Sequence, residues 1–413
     1  MTTSFAVGID FGTTNSAIAI AAPGAHAKVI ALPGGATYWR TVLCFEPPSD
    51  DGPPKISAGA PAIARFADHV GEARLVQSIK SHLASASFVD TFIFGRRWRV
   101  EDLVARYLKE LRAAAGVSLG DKAVIGRPVR YWGAEDDDDD ARAIARMKTA
   151  LEAAGWTDVT FEYEPVAAAH AYAQRLDRDE LVLIADFGGG TSDFSVVEVG
   201  PGRARVLASS GVALAGDSFD ARIIDAVVSP QLGRGTRYEV EMGGDAPVPA
   251  WIYNKLRRWH HLSFLKDAST VALLERIRQG ARDRVAIDKL CALIEDDLGL
   301  PLHAAVEASK VALSSSDRSA LDFSRLAIAA SLVRDVFDGW IAEELDAIDR
   351  AVVEAMQRAG VTHVDRVFTT GGSSQVTAVR RTLAARFGAD KLVGGEELTS
   401  VAAGLAAVAA SRL

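Results

Sequence analysis

The sequence predicts an α/β protein of two related halves, and three observations carry that expectation. The first is a repeated segment. Val7-Gly8-Ile9-Asp10-Phe11-Gly12-Thr13-Thr14-Asn15-Ser16 and Leu183-Ile184-Ala185-Asp186-Phe187-Gly188-Gly189-Gly190-Thr191-Ser192-Asp193 each run an apolar stretch into Asp-Phe-Gly and a short polar turn. A second apolar stretch follows each one, at 17–21 and 194–199, so each copy reads as a β-hairpin. The second observation is alternation of short apolar runs with helical spacing over much of the chain. The third is length: 413 residues exceed what one ordinary compact core holds.

Taken in order, 123–125, 159–161 and 367–369 read as short strands. Residues 141–154 and 376–387 have helical spacing, and each is followed by Gly. The acids Glu135 to Asp140 stand just before the first of these helices, where they complement its N-terminal dipole and stay solvated. From 322 to 360 there are few breakers, which predicts one or two long helices. Between 233 and 299 the chain becomes a charged, aromatic-bearing insertion with helical stretches. Its opening, Gly243-Gly244-Asp245-Ala246-Pro247-Val248-Pro249, is loop chemistry. Trp251 and Trp259 there read as buried packing, with His260 and His261 beside them as an alternative partner surface. The domain expectation is a first lobe, 1–175 completed by a C-terminal helix at 395–413, and a second lobe, 176–394. The second contains an inserted helical subdomain at about 217–320.

Composition excludes several classes. Hydrophobic residues make up 49% and charged residues 24%, as in ordinary globular chains. A formal net charge of −8 repels phosphate backbones and anionic lipid surfaces, so neither nucleic acid nor membrane is an expected partner. Cys44 and Cys291 are too far apart for a metal or redox motif and read as buried thiols. The N-terminus lacks a basic region, its apolar stretch is broken by Asp10 and Asn15, and no apolar run reaches membrane-spanning length. A cytoplasmic location is expected.

The chemistry lies in the two hairpins. A nucleoside triphosphate requires backbone N–H groups at close approach, which Gly-rich turns supply, and carboxylates to hold a magnesium shell. Asp10 and Asp186 each end a strand, so two facing hairpins suit a β,γ-phosphate clamp. No Gly-x-x-x-x-Gly-Lys-[Ser/Thr] occurs, so a P-loop is not the route, and His-Glu-x-x-His is absent too.

These segments resemble the phosphate motifs of the DnaK-type heat-shock chaperones: 5–20 is similar to the first and 183–197 to the second. Tyr163-Glu164-Pro165-Val166-Ala167-Ala168-Ala169 resembles the family's first connector, 367–379 with Gly371-Gly372-Ser373-Ser374 its adenosine motif, and 398–409 its second connector. Glu307, Lys310 and Ser314 resemble the chaperone branch's helix over adenine and ribose. The resemblance implies a two-lobed actin-like ATPase fold, built from duplicated ribonuclease-H-like domains around a deep nucleotide cleft. ATP or ADP, Mg²⁺ and possible K⁺ are the implied cofactors.

Carried over position by position, the resemblance implies that Gly12, Thr13, Thr14 and Asn15 hold phosphate, as do Gly188, Gly189, Gly190 and Thr191. Asp10 and Asp186 would hold magnesium through water. Lys80 would orient the attacking water, Glu164 would join the magnesium and water network, and Asp186 and Thr191 would act at the γ-phosphate. Gly216, Glu307, Lys310, Ser314, Gly371, Gly372, Ser373 and Ser374 would contact the nucleoside. The Ala-rich connectors would cross closely and act as a hinge.

Departures from the family pattern qualify this. The chain stops at Leu413, so a shorter relative without the peptide-binding domain, of the YegD type, is the expected form. Ala215 stands where the family usually has Gly, and Leu398-Thr399 replaces an acidic pair, with Glu396 and Glu397 just upstream. Val311 lies where some relatives stack Arg on adenine. The leading expectation is a slow ATPase switch read by a protein partner. A small-molecule kinase of the same fold, an actin-like filament protein and a nucleotide sensor that barely hydrolyses remain open alternatives.

Overall fold

The structure is a computed structural model that describes residues 5–412 apart from 23–24, 49–51, 70–71, 174–175, 202, 241–242, 259–264 and 395–398. Trp259, His260, His261, Glu396, Glu397 and Leu398 therefore lie outside the described residues. The chain forms two compact units. One comprises Met1–Leu214, Ala347–Ser374 and Arg381–Leu413; the other comprises Ala215–Asp346 and Gln375–Arg380.

The first unit contains two sheets of the same design. Strands β1 (Ala6–Phe11), β2 (Asn15–Ala21), β3 (Lys28–Val29), β4 (Lys122–Arg127) and β5 (Asp158–Tyr163) form one, in the order β3-β2-β1-β4-β5. Strands β6 (Glu180–Phe187), β7 (Ser192–Gly200), β8 (Arg203–Val212), β9 (Arg366–Thr370) and β10 (Leu392–Gly394) form the other, in the order β8-β7-β6-β9-β10. In each sheet the first three strands run antiparallel and the last two join parallel to the leading strand. Order and direction coincide along these five strands, which is the duplication the repeated segment predicts; the first sheet adds one short strand, Trp39–Arg40, beside β2. The leading strands are central and covered on both faces, which is why they read as nearly unbroken apolar runs rather than alternations.

Helix α1 (Asp137–Ala153) begins earlier than its apolar spacing suggests. Asp136 caps it by accepting from the Asp139 N–H at 2.9 Å, and the acids of the first turn suit the dipole. Asp140 departs from the expectation of a solvated run. It is half-buried, with its Oδ2 2.5 Å from Arg127 and its Oδ1 accepting from the Tyr131 N–H at 3.0 Å.

The connectors form α2 (Glu164–Ala173) and α3 (Ser400–Ala410). They share one core with Val124 of the first sheet and Val182, Ile184, Val197 and Phe368 of the second. Their small residues permit a crossing that nothing larger allows: a Cβ on Gly404 would lie 1.7 Å from the Ala167 carbonyl oxygen.

The second unit carries the helices Gly216–Ile223, Ala250–Leu256, Ala268–Gly280, Arg284–Glu295 and Gly299–Leu313. Three sequence expectations are corrected here and beyond. The loop-like segment opening the insertion supplies the strand Asp245–Pro247, which pairs with Arg237–Glu239. Trp251 is 39% exposed rather than buried, and the Lys255 ammonium lies 5.0 Å from its ring centroid. The stretch from 322 is not helical at its start. Arg318–Phe323 and Ile328–Val333 form a hairpin, and helices follow only at Arg334–Trp340 and Ala342–Arg358. Leu321, Phe323, Ile328 and Leu332 are buried at alternating positions, and Ala327 turns the chain at φ 48°. A turn without Gly, Asn or Pro leaves no mark in the sequence. Cys44 and Cys291 are buried free thiols, as expected, and burial raises both to about 11.

Candidate functional site

The two Asp-Phe-Gly segments, one from each sheet, share one electrostatic cluster. Asp10 and Asp186 are each the last but one residue of their strands, β1 and β6. Asp10 acts on Asp186, and both feel Glu164 at the start of α2 and Lys80. Lys80 sits on a short 3₁₀ turn, Ile79–His82, entered through Ser78 in the left-handed region at φ 52°. It is not a surface lysine: only 9% of it is exposed, and its Nζ donates to Glu164 Oε1 at 2.6 Å.

Burial pushes Asp10 up to about 7, aided by Glu164 and opposed by Lys80. Burial also raises Asp186 well above the carboxylate range, with Glu164, Asp193 and Asp10 adding to it. At Lys80 burial opposes the charge, but Glu164 and Asp10 outweigh it, and the net shift is upward. The ammonium is therefore a fixed cation, suited to stabilising negative charge and unsuited to acting as a base.

Sequence reasoning missed Asp193 as a site residue. It is directly opposite Asp186 across β6 and β7, and directly opposed residues share a face. Burial raises it to about 6, against a hydrogen bond from Thr191. The signal was present: in an Asp-Phe-Gly-Gly-Gly-Thr-Ser-Asp hairpin the pairing register sets the two acids side by side.

The turns themselves are tightly held. Thr41 Oγ1 donates to the Gly12 carbonyl at 2.8 Å, and the Thr41 N–H donates to the Thr14 carbonyl at 2.8 Å. In the second turn the Gly188 N–H donates to the Thr191 carbonyl at 2.9 Å, and Ser373 Oγ donates to the Gly188 carbonyl at 3.1 Å. Thr13, Thr14, Gly189, Gly190 and Thr191 stay partly accessible. Gly371 follows β9 with φ +80°, where a Cβ would meet the Phe187 carbonyl oxygen at 2.1 Å and Asp186 Oδ1 at 2.9 Å. The segment Gly371, Gly372, Ser373 and Ser374 thus packs directly against the second turn.

The remaining predicted residues lie in the second unit, where Gly216, Glu307 and Lys310 gather around Asp220. Lys310 Nζ donates to the Gly216 carbonyl at 3.2 Å and to Asp220 Oδ2 at 2.9 Å. Burial raises Asp220 to about 6, opposed by Lys310, with Asp217 and Glu307 adding to the rise. Ser314 is at the C-cap of the same helix, and its carbonyl accepts from Thr377 Oγ1 at 3.3 Å. Ala215 is buried at φ −165°, extended backbone that does not demand the family's glycine. Val311 is 59% exposed.

Do these groups fit a magnesium–nucleotide complex? Three raised carboxylates share one patch with one ammonium, so an added divalent cation would relieve like-charge repulsion. Asn15 Oδ1 and Ser374 Oγ are buried without a hydrogen-bond partner among the described residues, leaving acceptors in both the phosphate and adenosine segments. Among the described residues no three carboxylate, imidazole or thiol groups converge at direct metal-ligand spacing. A hard cation that keeps its own waters suits such a donor set.

The family model described as Hsp70 protein matches residues 64–241. Over 98% of its length the chain is 27% identical to the "Chaperone protein DnaK" of Thermosipho africanus (strain TCF52B). The chain carries a domain of the Hsp70 type. Its α/β fold is the actin-like one of that family, and the twin sheet order is its physical expression. The chain spans 59% of the length of the DnaK protein it matches. Among its described residues no helix is long and apolar enough to cross a membrane.

This cluster should titrate. Asp10 and Asp193 are raised from 3.8 to about 7 and about 6, so the fold holds protons that an unfolded chain releases. Stability from these groups is full below about pH 4 and is lost as pH rises through the folded values. Asp193→Asn should therefore raise the melting temperature of the metal-free, nucleotide-free protein most at pH 8, with the gain shrinking towards pH 5. Calorimetry across that range checks it; a gain independent of pH counts against the buried like-charge pair.

Proposed function

We propose that this chain is an ATP-binding, chaperone-like switch that hydrolyses ATP slowly to ADP and phosphate, with a protein partner reading its nucleotide state. One observation carries the reading. The Lys80–Glu164 pair, closed at 2.6 Å, occupies the same desolvated cluster as the acids of both hairpins. Supporting a division into a first lobe, 1–175 with 395–413, and a second, 176–394, each sheet supplies one hairpin.

In this reading Asp10 and Asp186 would hold magnesium through water, and the ion would supply charge neutralisation at the phosphates. Asp193 joins that network. The hydroxyls of Thr13 and Thr14 and the backbone of 188–191 orient the phosphates. Lys80 places the attacking water and stabilises the transferring group, and Glu164 fixes the ammonium. Phosphoryl transfer requires mainly such positioning and charge neutralisation. Gly216, Glu307, Lys310, Ser314 and 371–374 contact the nucleoside.

The test is calorimetric titration of ATP in magnesium and potassium buffers, followed by single-turnover hydrolysis. Absence of ATP binding sinks the reading. Binding without hydrolysis replaces it with a nucleotide sensor.

A further inference from the structure

The 3₁₀ turn bearing Lys80 runs into a buried stretch, with Leu83 and Ala84 fully enclosed. Carbonyls at the end of a helical turn have no partner within it, and in a buried stretch they need one. Helix α1 supplies it. Arg146 Nη1 donates to the carbonyls of His82 at 3.2 Å, Leu83 at 3.0 Å and Ser85 at 2.9 Å, and Arg142 Nη1 donates to that of Ala84 at 2.9 Å. The two arginines are one helical turn apart and so share a face. Four successive carbonyls after Lys80 are thus held by one helix.

The same helix has a second anchor. Its Asp140 pairs with Arg127 at 2.5 Å and accepts from the Tyr131 N–H. Arg127 is the last residue of β4, beside Tyr163 in register, with its guanidinium 4.9 Å from that ring's centroid. Tyr163 immediately precedes Glu164. Helix α1 therefore touches the segment that carries Lys80 and, through Arg127, reaches the segment that leads to Glu164.

We propose that Arg146, assisted by Arg142, is the positioning residue for Lys80, and that α1 sets the closure of the Lys80–Glu164 pair. The catalytic part of this rests on the hydrolytic reading above; the positioning part does not. Arg146→Met removes the clamp, and Arg146→Lys retains charge while reaching fewer carbonyls. In nucleotide-free protein, Arg146→Met should speed amide exchange across 79–85 while peptides of β1 and β6 keep wild-type protection. Single-turnover hydrolysis should fall on the order of tenfold to a hundredfold at little-changed ATP affinity, as expected for a small misplacement of a reacting group. Arg146→Lys should recover part of the rate.

In a Lys80→Ala background, Arg146→Met should cause no further loss, because it acts through Lys80. Unchanged exchange at 79–85, exchange raised throughout the unit, or additive losses in the double variant would each overturn the proposal. Should wild-type protein not hydrolyse ATP, the hydrolytic reading falls, and the exchange measurement alone decides the clamp.

Discussion

Lys80→Ala is expected to lower single-turnover ATP hydrolysis on the order of a hundred- to thousandfold while ATP still binds. That is the usual consequence of removing one preorganised donor from a charge-stabilising site, ~2.7–4 kcal/mol. The structure gives the reason for the size. Lys80 is nearly enclosed and faces Glu164 and Asp10, both of which raise its proton affinity, so it stays cationic throughout the working pH range. The substitution also leaves Glu164 in a buried setting without its ammonium. Breaking one partner of such a pair costs about 3–5 kcal/mol, so melting must accompany the rate measurement. The Lys80→Met/Glu164→Gln double variant, neutral on both sides, should regain most of the stability and none of the turnover. Near-normal hydrolysis in Lys80→Ala would remove Lys80 from the mechanism.

Gly404→Ala is expected to be among the most destabilising single-methyl changes in the chain. The new Cβ would lie 1.7 Å from the Ala167 carbonyl oxygen and 2.4 Å from its carbon. Both are backbone atoms, so no rotamer relieves the overlap and α2 and α3 must separate. Overpacking typically costs ~1–3 kcal/mol when side chains can adjust; here about 3 kcal/mol or more is expected. For a large domain that is a drop in melting temperature of roughly 6–12 °C. Ala407→Ser, on a partly exposed face of the same helix, should change it little. Because Glu164 starts α2, Gly404→Ala should also weaken ATP binding. A melting curve matching wild type would show that the crossing is looser than the geometry requires.

Much of this is legible in the sequence. The repeated hairpin announced the duplicated sheet, and the strands at 123–125, 159–161 and 367–369 fell where their apolar runs placed them. The Ala-rich connectors announced a close helix crossing. Local patterns of this kind carry their own signature, because a strand's burial and a glycine turn's conformation are set within a few residues. The hairpin at 318–333 was illegible for the converse reason. Its residues suit a helix as well as a strand, and the choice lay in which side chains the rest of the unit buried.

The sequence by itself determined two aspartate-tipped glycine turns, each on an apolar strand, and resemblance added a lysine and a glutamate. Only the tertiary structure decided that these groups meet. It set Asp193 beside Asp186 through strand register, enclosed Lys80 against Glu164 from 84 residues away, and ran α1 behind the turn that carries the lysine. Charge in a desolvated cluster depends on distances between segments remote in sequence, and no local pattern encodes those distances.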